Sequence, residues 1–211
     1  MRPEYWNDAI RYLSEVDPIL CEIIKKNQHQ VLISKNNPFN TLIKSIIGQQ
    51  ISVKAAQSIY LRLLEVLKHE ISPTEIKEIN KENLREIGLS RQKIEYIHNI
   101  SDYFINNPKI TSNLYFLTAS KDEIYNNLIK IKGIGEWTIE MFFIFYVTLP
   151  DILPLKDIGL INAIKRAYNL VNLDKETQHQ NILNISNKWK PYRTVATWFL
   201  GQMIDDELVE Y

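Results

Sequence analysis

The sequence predicts an all-α protein. Only 6 Gly and 8 Pro punctuate 211 residues, and 45% hydrophobic residues supply an ordinary core for one large domain or two small ones. Between the punctuation marks, apolar residues recur with a 3.6-residue period. The period-2 alternation of half-buried strands is almost absent.

Each element follows from its own signals. Phe39, Leu42, Ile43, Ile46 and Ile47 share one face of a helix that begins behind Asn37-Pro38, where a first-turn proline loses nothing by lacking an N–H. Ser52 is a fitting N-cap for a second helix through Val53, Ala56, Tyr60, Leu63, Leu64 and Leu67, which leaves 48–51 as an interhelical loop. Ser72-Pro73-Thr74-Glu75 and Ser120-Lys121-Asp122-Glu123 both match the capping box, in which serine and glutamate satisfy orphan backbone donors reciprocally. Gly88 ends a short helix from Lys81 to Ile87, and Ser90 caps the next, which turns Ile94, Ile97 and Phe104 inward. Gly135 opens a strongly apolar helix to about Thr148, Pro150 and Pro154 interrupt the pattern, and a further helix runs from Asp157 to Tyr168. The last helix starts at Pro191. The stretch 30–34 suits extended chain, but five residues make no sheet. With no repeat or flexible linker, a domain boundary falls in a short loop, at 35–38 or 149–156.

The charges balance: 25 Lys+Arg against 25 Asp+Glu give a formal net charge of +0, which excludes a histone-like or polybasic binder. A nucleic-acid role then needs local positive potential, from a patch or from backbone amides at helix N-termini. Cys21 is the single cysteine, which excludes an internal disulfide, a four-thiolate zinc site and a four-cysteine iron–sulfur cluster. That fits a reducing compartment. Charges fall within Met1–Asp8 where a secretory leader needs apolar residues, and the longest apolar run, Met141–Val147, is too short for a bilayer. A soluble, cytoplasmic protein with no membrane partner is expected. His29, His69, His98 and His179 lack zinc-ligand spacing, so no catalytic metal is expected.

The most informative segment is Lys130-Ile131-Lys132-Gly133-Ile134-Gly135-Glu136-Trp137-Thr138, between an amphipathic helix and a more apolar one. Two glycines one residue apart let a turn present consecutive backbone N–H groups beside a helix N-terminus, which makes a phosphate seat, and Lys130 and Lys132 add charge. The same pattern also suits a plain helix hairpin in which glycine supplies φ > 0 and nothing binds. Asp157 likewise reads as an ordinary N-cap or as a catalytic carboxylate.

Together with Leu153-Pro154-Leu155-Lys156-Asp157-Ile158-Gly159-Leu160, this segment resembles the helix-hairpin-helix (HhH-GPD) superfamily of DNA glycosylases, and within it the 3-methyladenine DNA glycosylase II branch. Segments 46–52, 87–93 and 189–196 match that branch as well, so the resemblance spans roughly residues 38 to 200 in family order. It implies a two-lobed helical fold: a six-helix region at 38–148 that contains the hairpin, and a second lobe from 1–37 with 149–211. DNA would lie across the cleft between them. The implied activity is that of a monofunctional DNA N-glycosylase, which flips an alkylated purine of the 3-methyladenine type out of duplex DNA and releases it by hydrolysis, starting base excision repair. A glycosylase for an oxidised, deaminated or mismatched base is one alternative, and a non-catalytic helix-hairpin-helix DNA-binding module is another.

The resemblance also assigns roles. Asp157, twenty positions after Trp137, would stabilise the positive charge that develops on the sugar and orient the attacking water, with Asp151 and Asp174 as less favoured rivals. Trp137 stands where strand-cleaving members carry a Schiff-base lysine. The base pocket would comprise Trp137, Gln49, Met141, Tyr192 and Trp198, whose aromatic faces attract a cationic base. Phe142 and Phe145, at helical spacing, read better as core. Gln50 would be the side chain inserted where the base leaves the stack, although its loop also suits a simple polar turn. Contacts to the DNA backbone fall to Ser90, Arg91, Lys93, Lys130, Lys132, Gly133, Gly135 and Thr138, of which Ser90, Arg91 and Lys93 serve equally as a helix cap and a solvated face. The family further implies a structural Na+ or K+ at the hairpin carbonyls of Ile131 and Ile134, with no other cofactor. A monomer acting on damaged double-stranded DNA is expected. Met141 and Gly201 stand where some relatives carry a pocket Tyr and Trp, which implies a wider cleft.

Overall fold

The computed structural model describes residues 1–34, 37–67 and 71–203. Among them the chain is helical throughout and forms no strand. The first helices are α1 (Trp6–Val16), α2 (Pro18–Lys26), α3 (Pro38–Gly48), α4 (Val53–Val66), α5 (Pro73–Glu78) and α6 (Lys81–Glu86). There follow α7 (Arg91–Asn106), α8 (Asn113–Thr118), α9 (Lys121–Leu128) and α10 (Glu136–Phe142), which runs into a π-helical turn at Phe143–Val147. The described residues end with α11 (Ile158–Ala167), α12 (Lys175–Asn187) and α13 (Arg193–Gly201).

The described residues divide into two compact units, 37–142 and 1–34 with 143–203. The division runs between Phe142 and Phe143, six residues before the boundary expected after Thr148. There the α-helical ladder gives way to the wider π turn, which ends at Thr148 with φ 56°. Lys35 of the other boundary candidate, and His69, lie outside the described residues.

In the unit 37–142, α3 is the central helix and packs against α4, α7 and α10. Thr41 and Ser45 are buried with the apolar residues and satisfied locally: Thr41 Oγ1 donates to the Asn37 carbonyl at 3.1 Å and Ser45 Oγ to that of Thr41 at 2.9 Å. The Lys44 ammonium lies 4.2 Å from the centroid of the Tyr60 ring. Edge-to-face contacts join Phe39 to Phe104 and Phe116 to Phe142, so Phe142 is core, as its helical spacing favours. Serine caps begin the helices where the sequence places them, at Ser52, Ser72, Ser90 and Ser120. Only Ser120 completes the reciprocal box; the Glu75 carboxylate accepts from the Ser72 hydroxyl. Among the described residues, eight helices (α3–α10) occupy the region for which the resemblance implied six. The unforeseen α8 is too short to show a period, and its Leu114 and Leu117 are 71% and 68% exposed.

The other unit is built on Trp6, which meets Trp198 edge-on at 5.2 Å and Phe199 at 5.6 Å. Asp17 caps α2 through the Ile19 and Leu20 N–H groups, and its other oxygen accepts from Tyr168 Oη at 2.6 Å and Trp189 Nε1 at 2.8 Å. One buried carboxylate thus ties α2 to the ends of α11 and α12. Burial and the Asp17 charge push the Tyr168 phenol well above its ordinary pKa. The last helix begins at Arg193, two residues after Pro191.

Candidate DNA-contacting hairpin and carboxylate

The hairpin is a turn between α9 and α10, pinned by the buried side chains of Ile131 and Ile134 and closed by the Ile134 N–H on the Ile131 carbonyl at 3.0 Å. Its two glycines differ in kind. Gly133 has φ +105°, and a Cβ there would collide with the Tyr96 ring, so both the backbone and the close packing on α7 demand glycine. Gly135 is exposed, its φ lies outside the left-handed region, and a Cβ would meet nothing within 4 Å. The fold does not require glycine at 135.

Three α7 residues grip this turn, and spacing along the sequence does not reveal them. Tyr96 lies under Gly133, Asn99 Nδ2 donates to the Lys132 carbonyl at 3.2 Å, and Glu95 pairs with the Lys132 ammonium at 2.5 Å. The hydrogen bond and charge of Glu95 raise the pKa of Lys132. Lys132 is therefore part of an exposed ion pair, while Lys130 is simply exposed. Thr138, expected at the DNA, is 1% exposed, and its hydroxyl accepts from Gln49 Nε2 at 3.1 Å.

Gln49 Nε2 also reaches the Gly133 carbonyl at 3.3 Å, so this side chain joins the α3–α4 loop to the hairpin. Beside it, Gln50 is exposed with φ 58°, a left-handed conformation that costs a residue with a Cβ about 1–3 kcal/mol and is common at functional turns. Ser90 caps α7 through the Lys93 N–H at 3.2 Å, and Arg91 is exposed. The half-buried Lys93 turns inward and donates from Nζ to the Ile47 carbonyl at 2.7 Å; burial lowers its pKa. Trp137 is half-buried in the first turn of α10, and Met141, one turn on, is buried.

In the other unit, Asp157 caps α11: Oδ1 accepts from the Leu160 N–H at 2.9 Å, and its own N–H donates to the Pro154 carbonyl at 2.9 Å. The first of these bonds orients one oxygen of a half-buried carboxylate. The approach to it is anchored on α13. Arg193 binds Asp151 in a two-pronged ion pair at 2.5 and 2.9 Å, and Thr194 Oγ1 accepts from the Ile152 N–H at 3.0 Å. Burial alone raises the Asp151 carboxyl, but the Arg193 guanidinium outweighs it and holds the group below the usual carboxylate range. Asp151 is thus committed to Arg193, and Asp174 to capping α12 through the Glu176 and Thr177 N–H groups. Trp198 is 4% exposed and serves the core against Trp6 and Phe199, while Tyr192 stacks on Tyr5 with centroids 6.0 Å apart and meets Tyr12 edge-on. Among the described residues no group of three or more His, Cys, Asp or Glu is placed to hold a metal ion.

A family model described as HhH-GPD superfamily base excision DNA repair protein matches residues 43–190. The chain is 30% identical over 200 residues to the alkylbase DNA glycosidase-like protein mag2 of Schizosaccharomyces pombe, covering 92% of each chain. It is also 30% identical over 170 residues to DNA-3-methyladenine glycosylase 1 of the same organism, covering 80% of this chain and 73% of that one. The solved structure of the S. pombe 3-methyladenine DNA glycosylase Mag1, in complex with abasic DNA, matches with a TM-score of 0.80 at 27% identity over 92% of this chain and 95% of that one. The sequence match and the helical fold agree: the chain belongs to the HhH-GPD superfamily of base excision DNA repair proteins.

Proposed function

We propose that this chain is a monofunctional DNA N-glycosylase that hydrolyses the bond between deoxyribose and an alkylated purine of the 3-methyladenine type in duplex DNA. The observation that carries the reading is Gly135, an exposed glycine needed by neither backbone angle nor packing, on a turn that the rest of its unit holds rigidly. Such a turn lets a phosphate reach the backbone N–H groups, so a chain of zero net charge holds DNA by local dipoles. Gln50, exposed at its loop tip, is the side chain that fills the gap left by the flipped base.

Asp157 is the proposed catalytic carboxylate. A ring-alkylated purine is cationic and leaves as a neutral base, so the burden falls on the sugar, where positive charge develops and a fixed carboxylate stabilises it. Water adds to C1′ and its proton passes to the carboxylate. Trp137 offers no amine for a Schiff base, so the product is an abasic site in an unbroken strand. Trp137, half-buried in the first turn of α10, remains the proposed base-pocket residue of the unit 37–142, with Arg91 and Lys130 on the DNA backbone. Carbonyl oxygens such as those of Ile131 and Ile134 suit a hard monovalent cation, which would stiffen the turn. No described helix is long and apolar enough to cross a membrane, and we place the protein, as a monomer, with the cell's DNA.

The test is release of free base from methylated duplex DNA, followed by chromatography, with the strand examined before and after alkali. Free 3-methyladenine and strand breaks that need alkali are expected. Release of no base from alkylated DNA, or breakage without alkali, contradicts the reading.

A further inference from the structure

Both loops proposed to face DNA in the unit 37–142 are fastened to one helix and to each other. On α7, Lys93, Tyr96 and Asn99 follow at three-residue intervals and share a face. Lys93 holds the end of α3 through the Ile47 carbonyl at 2.7 Å, while Tyr96 and Asn99 hold the hairpin at Gly133 and Lys132. Gln49 joins the two loops directly, donating to Thr138 Oγ1 at 3.1 Å and to the Gly133 carbonyl at 3.3 Å across 84 positions of sequence. Residues 47 and 49 are therefore both tied down immediately before Gln50, the exposed residue with φ 58°.

We propose that Lys93 and Gln49 are positioning residues that lock the loop presenting Gln50 to the glycine hairpin, so that the inserted side chain and the seated phosphate keep a fixed spacing. The proposal rests on the glycosylase reading above. It sets aside the phosphate contact that segment 87–93 first implied for Lys93. An ammonium that donates inward to a carbonyl at the end of α3 gives up that bond if it swings out to DNA, and it leaves the carbonyl unsatisfied.

Salt dependence separates the two roles, because a lysine on a phosphate releases a counterion and a positioning lysine does not. The experiment compares wild type with Lys93→Met, Lys93→Arg and Gln49→Met. It measures binding to a duplex with an abasic-site analogue over a range of salt, base flipping by the fluorescence of 2-aminopurine beside the lesion, and single-turnover release from methylated duplex. Thermal melts run alongside. Lys93→Met and Gln49→Met should each slow release about 10- to 100-fold and lower the flipping signal, with the slope of log K against log salt unchanged. Lys93→Arg, which retains a charged donor, should recover part of the loss. A slope that falls by about one in Lys93→Met, or release and flipping unchanged in both methionine variants, overturns the positioning role. Should Lys93→Met fail to melt cooperatively, Gln49→Met alone decides. A wild-type protein that neither binds the duplex nor releases base removes the glycosylase reading itself, and the positioning role with it, before any variant is compared.

Discussion

The glycine hairpin and the segment that carries Asp157 are both short connections that feed a helix, yet they are held by different means. The hairpin is gripped from outside, by Tyr96, Asn99, Glu95 and Gln49. Asp157 is capped locally, by the Leu160 N–H and the Pro154 carbonyl, and its approach is anchored at Asp151 and Ile152 by the first residues of α13. The contrast matches the proposed tasks. A phosphate seat must hold a surface in shape against a large ligand, which long-range side chains do well. A catalytic carboxylate needs a set direction, to which a helix cap contributes.

That contrast can be broken by substitution. The largest effect is expected at Gly133, where Ala meets both an unfavourable φ and the Tyr96 ring; Gly133→Ala should lose about 2–5 kcal/mol in chemical denaturation. Next comes Arg193→Met, which leaves the part-buried Asp151 without its partner and should lose about 1–3 kcal/mol. It should also slow release, since the approach to Asp157 loosens.

A smaller, pH-dependent effect is expected at His98, a buried α7 residue with no hydrogen-bond partner at either ring nitrogen among the described residues. Burial, then Lys77 and Lys81, lower its pKa below the ordinary 6.5, against a weaker pull from Asp102. The unfolded chain therefore binds the proton more readily, and stability should fall as pH drops from 6.5 through the folded value. Denaturation midpoints of wild type and His98→Leu over that range check this, and the variant should show the shallower fall. The smallest change in stability is expected for Gly135→Ala, within about 1 kcal/mol of wild type and in either direction. Its DNA binding should nevertheless weaken, because the added methyl would occupy the space of the proposed phosphate seat. Binding that matches wild type removes the seat from Gly135.

How much of this was legible follows from the same contrast. Caps depend on neighbours within three residues, so Asn37, Ser52, Ser90, Ser120 and Asp157 were readable as helix starts, and each caps one. Side chains whose meaning depends on a partner far along the chain were not. Thr138 looked like part of a DNA-facing turn, but it is buried, and its hydroxyl accepts from Gln49 at the end of α3. Lys93 read as a phosphate contact or as part of a solvated face, and the end of α3 captures it. Trp198 looked like a pocket aromatic, but Trp6, 192 positions away, takes it into the core. Tyr96 and Asn99 carry no signature, since what makes them matter is the glycine turn they support.

The central claim, that Asp157 performs the chemistry while its cap merely aims it, is tested most directly by Asp157→Asn. Asparagine caps a helix as well as aspartate does, so the variant keeps the fold and removes the charge. The measurement pairs single-turnover base release from methylated duplex with affinity for an abasic-site analogue. Release should fall about 100- to 10,000-fold while affinity and melting temperature stay near wild type. Release at the wild-type rate from a variant that folds and binds DNA would contradict the account.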